Sequence, residues 1–462
     1  MGLARRKRPY DYDLIVIGSG AGGGVAAHIL ARQGKKIAIV EEERIGGECP
    51  NWGCIPTKAL LRSSELYREA RESKRFGIRT ATIGYNYHAV KNWVDIAVYR
   101  TGTAEGLRAY ESEGIHIIRG KAYFISKREI SVSDKRYSAK KFLIATGTRN
   151  FVPPIVGLTE SGFLTHRSVF DLTQPPRSLF IIGGGPIGCE FAQAFSDFES
   201  GVVMAEVGER LIARENPEAG DLIGKIFRKR DVVVLTNTKV IKVERDRVKK
   251  IVYFEQNGKI HSVRVDNILL AAGMIPNTDL ALENAKVAYN QHGIIVDETM
   301  RTTARNIYAA GDVAGPYQFT HMATYQSKIA AHNMYSRKKL VVDYHAVPRC
   351  VFTSPEVASV GYTDAQAQAF KIKFDTASVD IDIIGRANTS DDHEGFVKVS
   401  ARKKDGVIIG ATIVAPRAGE MIHELALAVN KGLTVADVAN TIHAFPTWSE
   451  AIRVACHKLI KQ

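Results

Sequence analysis

DYDLIVIGSGAGGGVAAHILARQGKKIAIVEEE, residues 11–43, opens with an apolar run, LIVI, of the kind a strand buried on both faces requires. Gly18, Gly20 and Gly23 follow in a G-x-G-x-x-G pattern, then a helical stretch, then a second buried strand, IAIV. Glycines at these positions permit a tight turn and let a pyrophosphate approach the backbone, where the helix N-terminus offers unpaired N–H groups. Glu41 ends the second strand eighteen residues after Gly23, where a carboxylate accepts hydrogen bonds from ribose hydroxyls.

The same arrangement recurs at SLFIIGGGPIGCEFAQAFSDFESGVVMAEV, residues 178–207, with Gly183, Gly185, Gly188 and, eighteen residues on, Glu206. Two such units predict an α/β chain with two doubly wound, Rossmann-type nucleotide-binding domains. A carboxylate at Glu206 repels a 2′-phosphate and favours NADH, while Arg210 and Arg214 nearby keep NADPH admissible. Between the units, residues 59–80 read as helix and residues 128–147 as a hairpin running into a buried strand. Pro153-Pro154 and Pro175-Pro176 mark breaks. A strand in RNIYAAGDVAG precedes a helix over about 322–337, and the portion from about His345 mixes strands with two helices.

A chain of 462 residues exceeds a single core, and 45% hydrophobic with 24% charged residues excludes a disordered or fibrous chain. The net charge of +14 favours acidic ligands. Its densest run, Arg5-Arg6-Lys7-Arg8, reads as a solvated terminus rather than a nucleic-acid or targeting arm. Asp11 and Asp13 interrupt any signal-peptide pattern, and no run of eighteen apolar residues occurs, so the expectation is a cytoplasmic protein with no membrane partner.

Only five cysteines are present, too few for a secreted disulfide framework. Cys49 and Cys54 stand five apart in GGECPNWGCIPTK, residues 46–58. A zinc site needs four ligands, and no second Cys/His cluster accompanies them. A structural disulfide in a reducing compartment would dissolve, which leaves a catalytic dithiol beside a flavin. Cys189 and Cys456 read as helix-packing residues, and no resident metal is expected.

GSGAGG, GGECPNWGCIPTK, ATG at 145–147, GGGPIGCE, AAGMIPN, AAGDV and FTSPEVASVG together resemble the pyridine nucleotide–disulfide oxidoreductases, the family of dihydrolipoamide dehydrogenase, glutathione reductase and mercuric reductase. The resemblance implies FAD in the first nucleotide domain, NAD(P)H in the second and a C-terminal homodimerisation domain. Residues 1–152 and 276–344 would then bind FAD, 153–275 NAD(P)H, and 345–462 would dimerise. It further implies that Cys54 faces the flavin and Cys49 meets the substrate, that Lys58 pairs with Glu190, and that Gly147, Gly273 and Asp312 help hold cofactor.

One departure stands out. Disulfide-reducing members carry a histidine five residues before the glutamate of their C-terminal motif; HAFPTWSE, residues 443–450, keeps Glu450 but has Phe445 at that place. Phenylalanine transfers no proton. RANTSDDHEGFVKV and GATIVAPRAGE look most like the mercuric-reductase branch, although the adjacent Cys-Cys of that branch is replaced by Cys456-His457. Glu48 stands where many members have Thr, and Met274 replaces a frequent Arg. The expected acceptor is therefore a soft metal ion, a quinone or a similar small molecule. The rivals are a dihydrolipoamide dehydrogenase in which His443 supplies the proton, and a flavin-bearing redox sensor or polyanion-binding protein.

Overall fold

The computed structural model describes residues 9–79, 82–101 and 103–460; the basic run at 5–8 lies outside them. The chain forms two compact units: Met1–Ala59, Lys91–Phe151 and Gly273–Val342 make the first, and Leu60–Val90, Val152–Ala272 and Asp343–Gln462 the second.

In the first unit the strand Tyr12–Ile17 lies parallel between Ile37–Glu41 and Lys135–Ile144, with Ile15 opposite both Ala38 and Phe142. His116–Arg119 extends one edge, and Ile307–Ala309 pairs parallel with Lys135–Ile144. The strands Glu129–Val132 and Ala122–Ser126, each antiparallel to its neighbour, complete the sheet. Alternation sends Leu14 and Val16 into a core with Leu30, Ile39 and Met300, and Ile15 and Ile17 into the opposite one with Phe124 and Phe142. Each fully buried Ile or Leu removes enough apolar surface to stabilise by about 1.5–3 kcal/mol, so both faces must be covered and the run can carry no polar residue. The helices Ala21–Arg32 and Thr320–Tyr335 cover one face, through Leu30 and through Ile329, Ala330 and Met334.

The second unit repeats the design with four parallel strands, in the order Val233–Leu235, Gly201–Ala205, Ser178–Ile182, Asn267–Leu270. Pro186 opens the helix Pro186–Asp197 at its first position, where its missing N–H costs nothing. A three-stranded antiparallel meander, Thr238–Asp246, Lys249–Gln256 and Lys259–Val265, follows. The C-terminal portion is a five-stranded sheet built on Glu356–Gly361, Ile408–Ala415 and Phe396–Arg402. The helices Ala418–Lys431 and Glu450–His457 pack on it, and Cys456 is fully buried in that core.

The sequence assigns residues 59–80 to the first nucleotide domain, whereas Leu60–Val90 clusters with the second unit. Polar contacts explain this. Ser64 Oγ and Arg68 Nη1 lie 3.4 and 3.5 Å from Asp197 Oδ2, and Arg68 Nη2 donates to Ser354 Oγ at 3.0 Å.

Candidate active site

The two glycine turns are built alike. Gly18 has φ +101°, and a Cβ there would stand 2.3 Å from the Ala145 carbonyl oxygen; a Cβ on Gly23 would stand 2.0 Å from the Gly18 oxygen. At the second turn Gly183 has φ +113° with the Ala271 oxygen at 2.4 Å, and a Cβ on Gly188 would meet the Gly183 oxygen at 2.0 Å. Only glycine fits at these four positions. Gly20 and Gly185 cap the following twelve-residue helices, and open space faces Gly185. Clearance and exposed helix N–H groups fit a pyrophosphate at each turn.

Each acid grips the residue between the first two glycines of its turn. Glu41 Oε2 accepts from Ser19 N at 2.9 Å and Ser19 Oγ at 2.6 Å, and its Oε1 accepts from Glu43 N at 2.9 Å. Glu206 Oε2 accepts from Gly184 N at 2.6 Å and its Oε1 from Gly208 N at 2.7 Å. A carboxylate has about four lone-pair sites. Glu206 thus keeps acceptor capacity for two ribose hydroxyls, and Glu41 for one. Arg210 is engaged by Asp221 at 3.1 Å and Glu209 at 3.3 Å.

The dithiol segment sits in the first unit. Gly46 and Gly47, at φ +95° and +70°, turn the chain into the short helix Glu48–Asn51. Cys54 then begins the nineteen-residue helix Cys54–Glu72, so its sulfur lies at the positive end of the helix dipole. No disulfide links the cysteines. The Cys49 thiol is pushed well above the usual thiol range, first by its hydrogen bond to Cys54, then by burial and by the charge of Cys54. Cys49 is therefore the sulfur that keeps its proton. Exposure does not follow the outer and inner roles, because Cys54 is the more exposed of the two. Cys54 Sγ also lies 3.7 Å from Thr320 Oγ1, a partner the sequence reading did not single out; it opens the helix after the AAGDV segment. Lys58 follows one turn along the same helix face as Cys54.

Asp312 is buried, and its carboxyl is pushed up to about 6 by that burial and then by the charges of Cys54 and Glu48, with Thr148 opposing. Gly147, at φ +64°, accepts from Asn277 N, and Gly273, at φ +117°, accepts from Phe151 N. Glu190 lies in the second unit, where it is buried and its Oε1 accepts from Phe352 N at 3.0 Å. Cys189 is buried with its Sγ 3.4 Å from the Gly184 oxygen.

His443 and Glu450 are not brought together. The His443 side chain is 6% exposed, with Nδ1 2.8 Å from the Thr441 oxygen and Nε2 3.0 Å from Glu424 Oε1. Phe445 is 75% exposed, while Glu450 Oε2 is buried without a hydrogen-bond partner. Among the described residues no cluster of three His, Cys, Asp or Glu side chains can hold a metal ion, and no helix is long and apolar enough to cross a membrane.

A family model for pyridine nucleotide-disulphide oxidoreductase matches residues 12–327, and the model for the dimerisation domain of that family matches 347–456. The dihydrolipoyl dehydrogenase of Geobacillus stearothermophilus is 37% identical over 447 residues, 95% of this chain and 94% of that protein. The mercuric reductase of Staphylococcus aureus is 33% identical over 450 residues, 97% of this chain and 82% of that protein. Among solved structures, the Cu(II) complex of the HOCl-induced flavoprotein disulfide reductase RclA from Escherichia coli superposes with a TM-score of 0.87 at 28% identity, covering 97% of this chain and 99% of that one. With both halves of the family pattern matched and the paired glycine turns and dithiol helix in place, the chain belongs to the FAD- and NAD(P)H-dependent pyridine nucleotide-disulphide oxidoreductases.

Proposed function

We propose that this enzyme carries electrons from NADH to the Cys49–Cys54 couple and on to a small acceptor that needs no histidine-borne proton: a soft metal ion, a quinone or a similar molecule. FAD, when bound, supplies two-electron acceptance from the nicotinamide. The observation that carries the reading is Phe445, 75% exposed where a proton-transferring histidine would stand, five residues before Glu450, whose buried Oε2 has no hydrogen-bond partner. The mercuric reductase at 33% identity and the Cu(II) complex among the structural neighbours support it.

The residues divide the work as follows. The Ser19 and Gly184 loops, braced by Glu41 and Glu206, bind the two pyrophosphates. Asp312, Gly147 and Gly273 border the first cofactor, and Lys58 stands one turn beyond Cys54 on the dithiol helix. The disulfide takes two electrons and one proton, the hydride equivalent that NADH supplies, and becomes one thiol and one thiolate. Cys54, at the helix N-terminus, is then the sulfur that holds negative charge, and Cys49 is the protonated one. Return of two electrons to the acceptor re-forms the S–S bond and releases the Cys49 proton to water.

Glu206 and the engagement of Arg210 by two acids favour NADH over NADPH. The 37% identity to a dihydrolipoyl dehydrogenase favours a second reading, lipoamide reduction, yet His443 is held by Glu424 and Thr441. Anaerobic NADH titration tests the relay. Uptake of four electrons per subunit supports it, and uptake of two removes the disulfide from the path. Turnover with Cu(II), Hg(II), quinones, lipoamide and glutathione disulfide then ranks the acceptors, and a clear preference for lipoamide would overturn the metal or quinone reading.

A further inference from the structure

Helix Ala21–Arg32 carries a glycine, Gly24, that the G-x-G-x-x-G pattern does not require. Its φ is not in the left-handed region, so conformation does not explain it. Space does. A Cβ on Gly24 would stand 2.3 Å from the Tyr110 hydroxyl oxygen, 3.4 Å from the Ser19 carbonyl oxygen and 3.5 Å from Tyr110 Cζ.

Tyr110 comes from another helix, Thr103–Ser112. It is 5% exposed, and its hydroxyl donates to the Ser19 carbonyl oxygen at 3.4 Å. Burial, followed by the charges of Glu41 and Glu113, pushes its phenol up to about 12, so it remains a donor across neutral pH. The ring stacks on His28 at 4.6 Å between centroids and 18° between planes. Glu113 fixes that stack by accepting from Arg32 Nε at 2.8 Å and contacting His28 Nδ1 at 2.6 Å.

Ser19 is the residue between Gly18 and Gly20. Its N–H and Oγ are held by Glu41, and Gly46 N donates to its Oγ at 2.9 Å. Its carbonyl oxygen faces Tyr110. We infer that Tyr110, seated in the notch left by Gly24, is a positioning residue for the FAD pyrophosphate: it sets the plane of the Ser19–Gly20 peptide and so the direction of the N–H groups in the cradle. The inference rests on FAD occupying the first glycine turn.

A double-mutant cycle tests it, reading FAD release from the holoenzyme by the rise of free-flavin fluorescence on dilution, with apoprotein melting as the control. Tyr110→Phe keeps the ring and the His28 stack and loses one hydrogen bond, so FAD release should accelerate about threefold to tenfold. The apoprotein Tm should move by no more than about 2 °C, since the hydroxyl makes one long bond. Gly24→Ala drives a methyl group into the hydroxyl and should weaken FAD retention by about tenfold to 100-fold. In Gly24→Ala/Tyr110→Phe the nearest ring atom, Cζ, is at ordinary contact distance, and retention should return to that of Tyr110→Phe alone. Wild-type release from Tyr110→Phe, or a double variant no better than Gly24→Ala, overturns the proposal while the cradle assignment stands. A wild-type protein that retains no FAD overturns both.

Discussion

His443 Nε2 lies 3.0 Å from Glu424 Oε1 on a side chain only 6% exposed, with its other ring nitrogen on the Thr441 carbonyl. The ring ties the segment before Phe445 to the helix Ala418–Lys431, and no nitrogen remains for a substrate proton. Burial raises the Glu424 carboxyl, and the His443 charge and hydrogen bond bring it back part of the way. His443→Ala should leave turnover with a metal or quinone acceptor within about twofold. It should also lower stability by about 1–3 kcal/mol, because a half-buried carboxylate loses its partner. Acceptor kinetics and thermal melts on one preparation check both halves. A loss of turnover beyond tenfold at unchanged folding would return His443 to the chemistry.

In the proposed reading, the choice between NADH and NADPH turns on Glu206. Glu206→Gln puts an NH₂ group against one of the two N–H donors now received by the carboxylate, Gly184 N and Gly208 N. It also removes the charge that opposes a 2′-phosphate. Losing a hydrogen bond to a charged group costs roughly 1.5–3 kcal/mol, so the kcat/KM ratio of NADH to NADPH should fall about tenfold or more. Steady-state kinetics with both coenzymes measures it, and an unchanged ratio would show that Arg210, not Glu206, reads the ribose.

Much of this was legible in the sequence, and the reasons for the exceptions are physical. Buried parallel strands advertise themselves, since LIVI and LFII admit no polar residue, and the paired glycine turns follow because no Cβ fits at Gly18, Gly23, Gly183 or Gly188. The meander over 238–265 alternates apolar and charged residues with Lys and Glu on its open face, a weak signal that went unread. The helix Tyr87–Thr101 exposes Trp93, Ile96 and Tyr99, so it has no clean amphipathic stripe. Pairings distant in sequence were invisible: Glu424 with His443, Tyr110 with Gly24, Thr320 with Cys54. Spacing marks Glu41 and Glu206 as ribose acids, but only geometry shows that they also brace their own glycine loops.

Asp312 gives a pH signature. Its folded-state value of about 6 stands above the ordinary 3.8, chiefly through burial. The folded protein therefore holds this proton more tightly than the unfolded chain does. Stability is full below about pH 4, declines as pH rises through 4 to 6, and stays lower above it. The difference amounts to roughly 3 kcal/mol. Asp312→Asn should stabilise the apoprotein by up to about that amount at pH 7.5 and by little at pH 4. Asp197, also raised to about 6, titrates in both proteins and cancels in the comparison. Denaturant melts of the apoproteins at the two pH values decide the matter, and a difference that does not grow with pH would count against a buried, raised carboxyl.

The Phe445 position allows the acceptor assignment to be turned around. Glu450 Oε2 is buried with no hydrogen-bond donor, at the start of the helix Glu450–His457, five residues beyond Phe445. Phe445→His would supply both the missing base and a partner for that oxygen, while His443 stays with Glu424. If proton transfer is what the enzyme lacks, lipoamide reduction should rise by about 10²-fold, the low end of what a positioned acid or base contributes. It should also acquire a pH dependence near the ordinary histidine value of about 6.5. Metal and quinone reduction, which need no such group, should change little. Adding Glu450→Ala to Phe445→His should remove most of the gain, because an imidazole held by a carboxylate is oriented and a loose one is not. If Phe445→His leaves lipoamide turnover at the wild-type level, the limitation lies elsewhere, and the case against a lipoamide substrate built on Phe445 fails with it.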